Sequence, residues 1–257
     1  MLTADHINRY HENGFVIPDW RLPAADLAAM RAAADAMLAA RPHYADLHPA
    51  LMEEGAPWPA FGHHPDLVAM VSQLIGPDLI LWSMGYFGKP AVNGKATPWH
   101  QDGQYWPIRP LATCTAWLAL DDATPENGCL RMIEGSHKER RLLAHDRNDS
   151  ATYTLNQELP ETAYDAARAR DLVLEAGQVS LHDAFMVHGS AANTSAHRRR
   201  AITFRYMPAN SHFDRDLAAR QHAELGVVEH TYRTLYQVSG RDLSGRNELI
   251  RPRPPVT

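Results

Sequence analysis

At Leu79 the sequence changes character, and that change constrains the fold more than any other feature. Before it, apolar residues recur at helical spacing. After it, apolar runs are short, rich in β-formers and separated by turn residues. Thr3 suits an N-cap for a helix ending near Asn13-Gly14, where glycine tolerates a left-handed backbone. A short apolar run, 15–18, follows. Pro23 opens an alanine-rich helix carrying Leu27, Met30, Ala34 and Leu38 at helical spacing, which ends at Arg41-Pro42. Residues 65–75 read as a third helix, stopped by Gly76-Pro77. The later runs 79–87, 113–121, 129–133, 179–181 and 201–207 read as strands, with Asn127-Gly128 a turn between two of them.

This pattern predicts a mainly β fold with flanking α-helices, a sandwich or jelly roll packed against the leading helices. With no internal repeat or low-complexity linker, one domain is expected over 1–257. It divides into a helical part at about 1–76, a jelly-roll core at about 79–210 and a C-terminal extension at 211–257. The polar stretch 137–170 has no periodicity and is expected to run over the barrel mouth, as long ordered excursions often do.

The composition excludes some partners. A net charge of -5 gives no electrostatic case for nucleic acid or an anionic membrane surface. The short basic stretch His197-Arg198-Arg199-Arg200, taken alone, reads as a solvated strand edge. Cys114 and Cys129 each lie in apolar surroundings and are expected as buried free thiols in a reducing cytoplasm. The opening residues lack the charged and apolar regions of a signal peptide, and the apolar region 67–84 is broken by Gln73, Gly76, Pro77 and Asp78. A cytoplasmic protein acting on a small molecule, without a membrane span, is the expectation.

The chemistry concentrates at Trp99-His100-Gln101-Asp102. On an extended strand, residues two apart point to the same side, so His100 and Asp102 would present an imidazole and a carboxylate to one point. That is two-thirds of the 2-His-1-carboxylate triad that binds Fe(II) with open positions. The triplet alone also describes many exposed strand ends, so a downstream ligand is required. His182 and His188 are both available, and His188 is preferred because Arg199 lies eleven residues beyond it. A guanidinium fork matches a carboxylate such as the distal end of 2-oxoglutarate, and Ser190 could bond the same end. His182 then reads as a core or supporting histidine, with Asp183 as a nearby orienting acceptor.

With these residues in place, the chain resembles the phytanoyl-CoA dioxygenase (PhyH) family. The resemblance rests on the segment Trp99 to Pro107, on Glu126-Asn127-Gly128-Cys129-Leu130, on Glu134-Gly135-Ser136-His137-Lys138, and on His188-Gly189-Ser190 through Asn193 to Arg199. Leu2 to Val16 is similar to the family's start. The resemblance implies a double-stranded β-helix, iron ligands at His100, Asp102 and His188, and cosubstrate contacts at Arg199, Ser190 and Trp117. It implies an Fe(II)/2-oxoglutarate-dependent dioxygenase that uses O2 and releases succinate and CO2. Asp102 speaks against a halogenase, since those relatives lack this carboxylate. The chain looks closer to the family's bacterial small-metabolite hydroxylases than to the acyl-CoA enzyme. In phytanoyl-CoA hydroxylase a lysine well upstream of the iron motif helps hold the cosubstrate. Here the first lysine is Lys89, and no counterpart is assigned.

Substrate contacts are expected among Gln104, Tyr105, Trp106, Arg131 and Arg205. Arg205 shares strand parity with Arg199, and a buried cation needs an anionic partner, so a carboxylate or phosphonate substrate is one reading. The other has Arg205 paired locally and Arg131 facing solvent. Asn93 and Lys95 read equally as loop residues. A non-catalytic sensor of the same fold, a zinc enzyme using the same ligands, and a 2-oxoglutarate enzyme performing desaturation or cyclisation are the competing functions.

Overall fold

The computed structural model describes residues 1–54 and 57–250 of the chain. The leading helices are α1 (Ala4–Asn13), α2 (Ala24–Ala40), α3 (Trp58–Phe61) and α4 (Pro65–Ile75), with the short strand β1 (Phe15–Val16) after α1. Thr3 caps α1, its hydroxyl accepting from the His6 N–H while His6 Nδ1 accepts from the Thr3 N–H. Gly14 ends the helix at φ 87°, and a Cβ there would stand 2.0 Å from Met186 Sδ. Only glycine meets both demands.

The strands follow as β2 (Leu79–Lys89), β3 (Thr97–Gln101), β4 (Ile108–Arg109), β5 (Cys114–Ala119), β6 (Leu130–Ile133), β7 (Asp146–Arg147), β8 (Gln157–Glu158), β9 (Ala169–Leu172), β10 (Val179–Asp183), β11 (Val187–Ser190) and β12 (Arg199–Pro208). Beyond them lie β13 (His212–Phe213), α5 (Arg215–Leu225), β14 (Leu235–Ser239) and β15 (Leu249–Ile250). The large sheet runs β1-β10-β5-β12-β2-β14-β15, and the small one β3-β11-β6-β9. Two mainly antiparallel sheets thus face each other as a jelly roll, the predicted double-stranded β-helix.

Period-two alternation decides what each face does. Met84, Tyr86, Ala116, Leu118, Ile202, Phe204 and Tyr206 point outward, into a core shared with Met30, Ala34, Leu67, Met70 and Val71 of α2 and α4. The opposite face, with Ser83, Gly85, Phe87, Thr115, Trp117, Thr203 and Arg205, lines a cavity between the sheets. One irregularity shapes that cavity. Arg205 pairs with Ser83 but Tyr206 pairs with Leu81, so Trp82 is an extra residue in β2. Such a bulge re-aims side chains, and it lets Trp82 and Ser83 both line the cavity.

Asn127-Gly128 forms the expected turn: Thr124 caps a short 3-10 turn, Pro125–Asn127, that carries the chain from β5 in the large sheet to β6 in the small one. Two expectations need correction. The stretch 197–200 is not a solvated edge, because Arg199 and Arg200 are both buried. Arg200 forms a fork with Asp121 and reaches Asp35. Finally, β3 ends at Gln101, and Asp102 begins a 3-10 turn rather than continuing the strand. Cys114 and Cys129 are free and buried, as expected. No helix among the described residues is long and apolar enough to cross a membrane.

The excursion 137–170 holds the β7–β8 hairpin and two 3-10 turns. Leu155 from its tip and Val228 from the segment after α5 both reach the cavity. The two segments touch where the Asn156 amide donates to Gly226 O. The excursion thus lines the cavity together with a C-terminal segment that no sequence motif marks.

Candidate metal centre and its cavity

His100 on β3 sits opposite His188 on β11 in the small sheet, and Asp102 turns in from the following 3-10 turn. Among the described residues, these three are the group whose ligand atoms lie within 4.8 Å of one another, and all three are buried. His100 Nε2 is 3.6 Å from one Asp102 carboxylate oxygen, and His188 Nε2 is 3.9 Å from the other. The rings' other nitrogens are already engaged. His100 Nδ1 lies 2.8 Å from Pro98 O and His188 Nδ1 3.0 Å from Met186 O, which places each proton on Nδ1 and leaves the Nε2 lone pairs facing Asp102. The Tyr105 hydroxyl donates to the Asp102 carboxylate at 3.2 Å.

Electrostatics agree with a cation at this point. Burial alone would raise the Asp102 carboxyl, but the neighbouring His100 and His188 imidazoles and the Arg205 guanidinium hold it well below the usual carboxylate range. Burial, then the neighbouring His100, pushes His188 down to about 4, so the imidazole is neutral near pH 7. Two imidazole nitrogens and one carboxylate are the donor set of the facial triad. An ion with bonds near 2.1 Å sets neighbouring ligand atoms about 3 Å apart, so the donor atoms would draw together around it. The residues present fit such a metal.

His182 is not part of this three-residue group. It is buried, with its ring centroid 5.4 Å from that of His188, and it lines the cavity. Asp183 does not orient it: that carboxylate accepts instead from Arg140 and from the Phe185 N–H. Successive side chains on a strand face opposite ways, so Asp183 looks away from His182.

Arg199 ends the cavity on one side. It is 3% exposed, donates to Phe87 O at 3.2 Å and Gly128 O at 3.0 Å, and lies 5.3 Å from the Trp117 ring. Its Nε–H has no partner, and among the described residues no acid pairs with it. Burial lowers its pKa to about 10, which still leaves it charged. A buried, unpaired guanidinium beside a cavity calls for a carboxylate guest. Ser190 and Trp117 line the same cavity, and the Trp117 indole N–H is also buried without a partner. Lys89 pairs with Arg199 across the strands, yet gives its ammonium to the carbonyls of Ser190 and Ala191 and does not line the cavity.

The expected substrate residues separate. Tyr105, Trp106 and Arg205 line the cavity. Tyr105 and Trp106 both reach it because the chain there is a tight turn rather than a strand. Gln104 does not line it. Arg131 is a correction: it lies on the outside of the small sheet, bound to Asp171 at 2.8 Å and stacked near Trp99. Arg205 has no ion pair among the described residues, sits 5.4 Å from the Phe87 ring and 5.3 Å from the Trp106 ring, and makes only a long 3.5 Å contact to Ser83 Oγ. His48, Trp82, His230 and Arg233 also line the cavity, and no sequence signal marks them, since they come from loops and a bulge. The cavity volume is about 110 Å³.

The family model described as phytanoyl-CoA dioxygenase (PhyH) matches residues 10–201. The peroxisomal phytanoyl-CoA dioxygenase of Bos taurus is 31% identical over 173 residues, covering 64% of this chain and 50% of that protein. Phytanoyl-CoA dioxygenase domain-containing protein 1 of Danio rerio is 36% identical over 141 residues, covering 54% and 48%. The chain thus spans about half the length of the curated relatives it matches. Among solved structures, the non-heme monooxygenase ThoJ superposes with a TM-score of 0.75 at 27% identity, over 96% of this chain and 88% of that one. The non-heme alpha ketoglutarate dependent carbocyclase SnoK from nogalamycin biosynthesis gives 0.69 at 25% identity, over 83% and 87%.

Proposed function

Because the chain belongs to the phytanoyl-CoA dioxygenase (PhyH) family, we propose that it is an Fe(II)/2-oxoglutarate-dependent oxygenase hydroxylating a C–H bond of a small anionic metabolite. The observation that carries this reading is the buried convergence of His100, Asp102 and His188 on one point, in the same cavity as the unpaired guanidinium of Arg199.

In this reading His100, Asp102 and His188 hold the iron. Bound there, Fe(II) with 2-oxoglutarate and O2 supplies the oxidation: C–H becomes C–OH while 2-oxoglutarate leaves as succinate and CO2. Arg199 binds the distal carboxylate of 2-oxoglutarate through its fork, and its unpartnered Nε–H is the natural donor. The Ser190 hydroxyl and the Trp117 indole N–H extend that contact. Pro98 O and Met186 O keep both ligand imidazoles in the tautomer that turns Nε2 inward. Tyr105 steadies the carboxylate of Asp102, while Leu155 and Val228 narrow the mouth and exclude water. Arg205, on the same face of β12 as Arg199, binds the substrate's anionic group. The whole of 1–257 is read as the single domain that does this.

A panel of short carboxylates and phosphonates, incubated with Fe(II), 2-oxoglutarate and air, tests the proposal. The expected result is succinate formed one-for-one with a product heavier by one oxygen. Coupling only to neutral compounds would overturn the anionic reading. A product lighter by two hydrogens would instead favour desaturation or cyclisation, the kind of outcome named for the carbocyclase neighbour.

A further inference from the structure

The cavity wall away from Arg199 carries several polar groups that iron and 2-oxoglutarate leave unused. Trp82, set inward by the β2 bulge, is fully buried, and its indole N–H has no partner among the described residues. Its ring is 4.9 Å from Trp106 and 5.8 Å from His230. His230, in the segment between α5 and β14, is 7% exposed with an unpartnered Nε2. Its Nδ1 accepts from Arg233 Nε at 3.2 Å, so the ring proton sits on Nε2. Burial, followed by the charges of Arg233 and Arg205, pushes His230 down to about 3, which keeps it neutral. Arg205, near Trp106 from the other side, has a buried Nε–H that is also unpartnered.

Three buried hydrogens on nitrogen, from three separate elements, thus line one side of the cavity around Trp106. Each is a donor, and none can accept. Leaving such groups unmatched costs about 1–3 kcal/mol apiece, more where charge is involved. A neutral hydroxyl or amide would satisfy them poorly, since it brings donors of its own. An oxyanion brings only acceptors.

We infer that Arg205 Nε, Trp82 Nε1 and His230 Nε2 form a donor-only subsite that binds the oxyanion of the substrate, with Arg233 as the positioning residue that fixes the donor tautomer of His230. This rests on the functional reading above and deepens it by naming which groups select an anionic substrate. Trp82 and Trp106 supply apolar walls beside the subsite, so the group bound there is a compact carboxylate or phosphonate on a short carbon chain rather than a polar sugar.

The test uses the full chain loaded anaerobically with Fe(II) and saturating 2-oxoglutarate, so that the Arg199 end is filled. Methylphosphonate and acetate are titrated separately, read by tryptophan fluorescence, since Trp82 and Trp106 flank the subsite. Trp82→Phe keeps the ring and removes the N–H, and His230→Phe removes the second donor. Each should weaken binding of the preferred anion about tenfold without changing iron content or 2-oxoglutarate affinity, and Arg205→Met should weaken anion binding about a hundredfold. Arg233→Met should weaken the same anion through the freed tautomer of His230, and that effect should vanish in the His230→Phe background. Methylphosphonate binding more tightly than acetate, or the reverse, identifies the headgroup. If anion affinity is the same in Trp82→Phe, His230→Phe and wild type, the subsite is refuted while the oxygenase reading stands. If iron and 2-oxoglutarate fail to bind but the titration of the bare chain shows these losses, the subsite stands and the oxygenase reading falls.

Discussion

Replacing Arg199 by methionine should nearly abolish stabilisation of the protein by 2-oxoglutarate. The guanidinium is buried, its only described acceptors are the carbonyls of Phe87 and Gly128, and among the described residues no acid neutralises it. A carboxylate held by its fork gains two charge-assisted hydrogen bonds, worth about 1.5–3 kcal/mol each, so their loss weakens binding at least about a hundredfold. Under anaerobic conditions with Fe(II), cosubstrate at about 100 times its Kd stabilises the wild type by about 2.7 kcal/mol. After a hundredfold loss the same concentration equals Kd and contributes about 0.4 kcal/mol. For a chain of this size each kcal/mol moves the melting temperature by about 2–4 °C, so a ligand-induced rise of about 5–11 °C should shrink to about 1–2 °C. The ligand-free melting temperature is not the readout, because the methionine orphans two carbonyls while also removing an uncompensated charge. An Arg199→Met protein that kept the full rise with 2-oxoglutarate would refute the role given to this residue.

Other outcomes follow from other contacts. Arg200→Met strands the buried end of a fork with Asp121 and a 2.6 Å contact to Asp35, so it should cost about 3 kcal/mol and lower the melting temperature by about 6–12 °C, with iron content unchanged. Tyr105→Phe removes the donor at 3.2 Å from Asp102 and should weaken metal binding about tenfold in a titration with Mn(II). Acid should unfold the metal-free chain in a steep step. Burial lowers His145 to about 4 and His230 to about 3, and holds His48 well below its usual value, while each titrates near 6.5 once unfolded. The unfolded state therefore takes up more protons, and stability falls as pH drops from about 6.5 toward about 4. Circular dichroism at stepped pH checks this, and a flat stability between those values would contradict it.

Sequence and structure agree best where local rules are strong. The capped α1, the proline-opened α2 and α4, and the β-rich texture from Leu79 onward were readable because caps, prolines and period-two alternation act within a few residues. The convergence of His100, Asp102 and His188 was readable for a related reason: His100 and Asp102 lie two apart in sequence, and Arg199 marked His188 over His182. Side-chain direction was less legible. Arg131 and Arg205 are both arginines on strands, yet one meets Asp171 outside while the other faces the cavity, and parity at a strand end did not settle which. Trp82 could not be foreseen, because its orientation depends on a bulge created by pairing with β12, more than a hundred residues away. His230 and Arg233 lie in a C-terminal segment whose course over the cavity is set by tertiary contacts alone.

Adding 2-oxoglutarate anaerobically to the chain with one equivalent of Fe(II), and recording the visible spectrum, probes the iron site at its source. The expected result is a charge-transfer band in wild type and in His182→Ala, and neither band nor retained iron in His188→Ala or Asp102→Ala. Iron and band surviving in His188→Ala but lost in His182→Ala would contradict the assignment of the metal ligands.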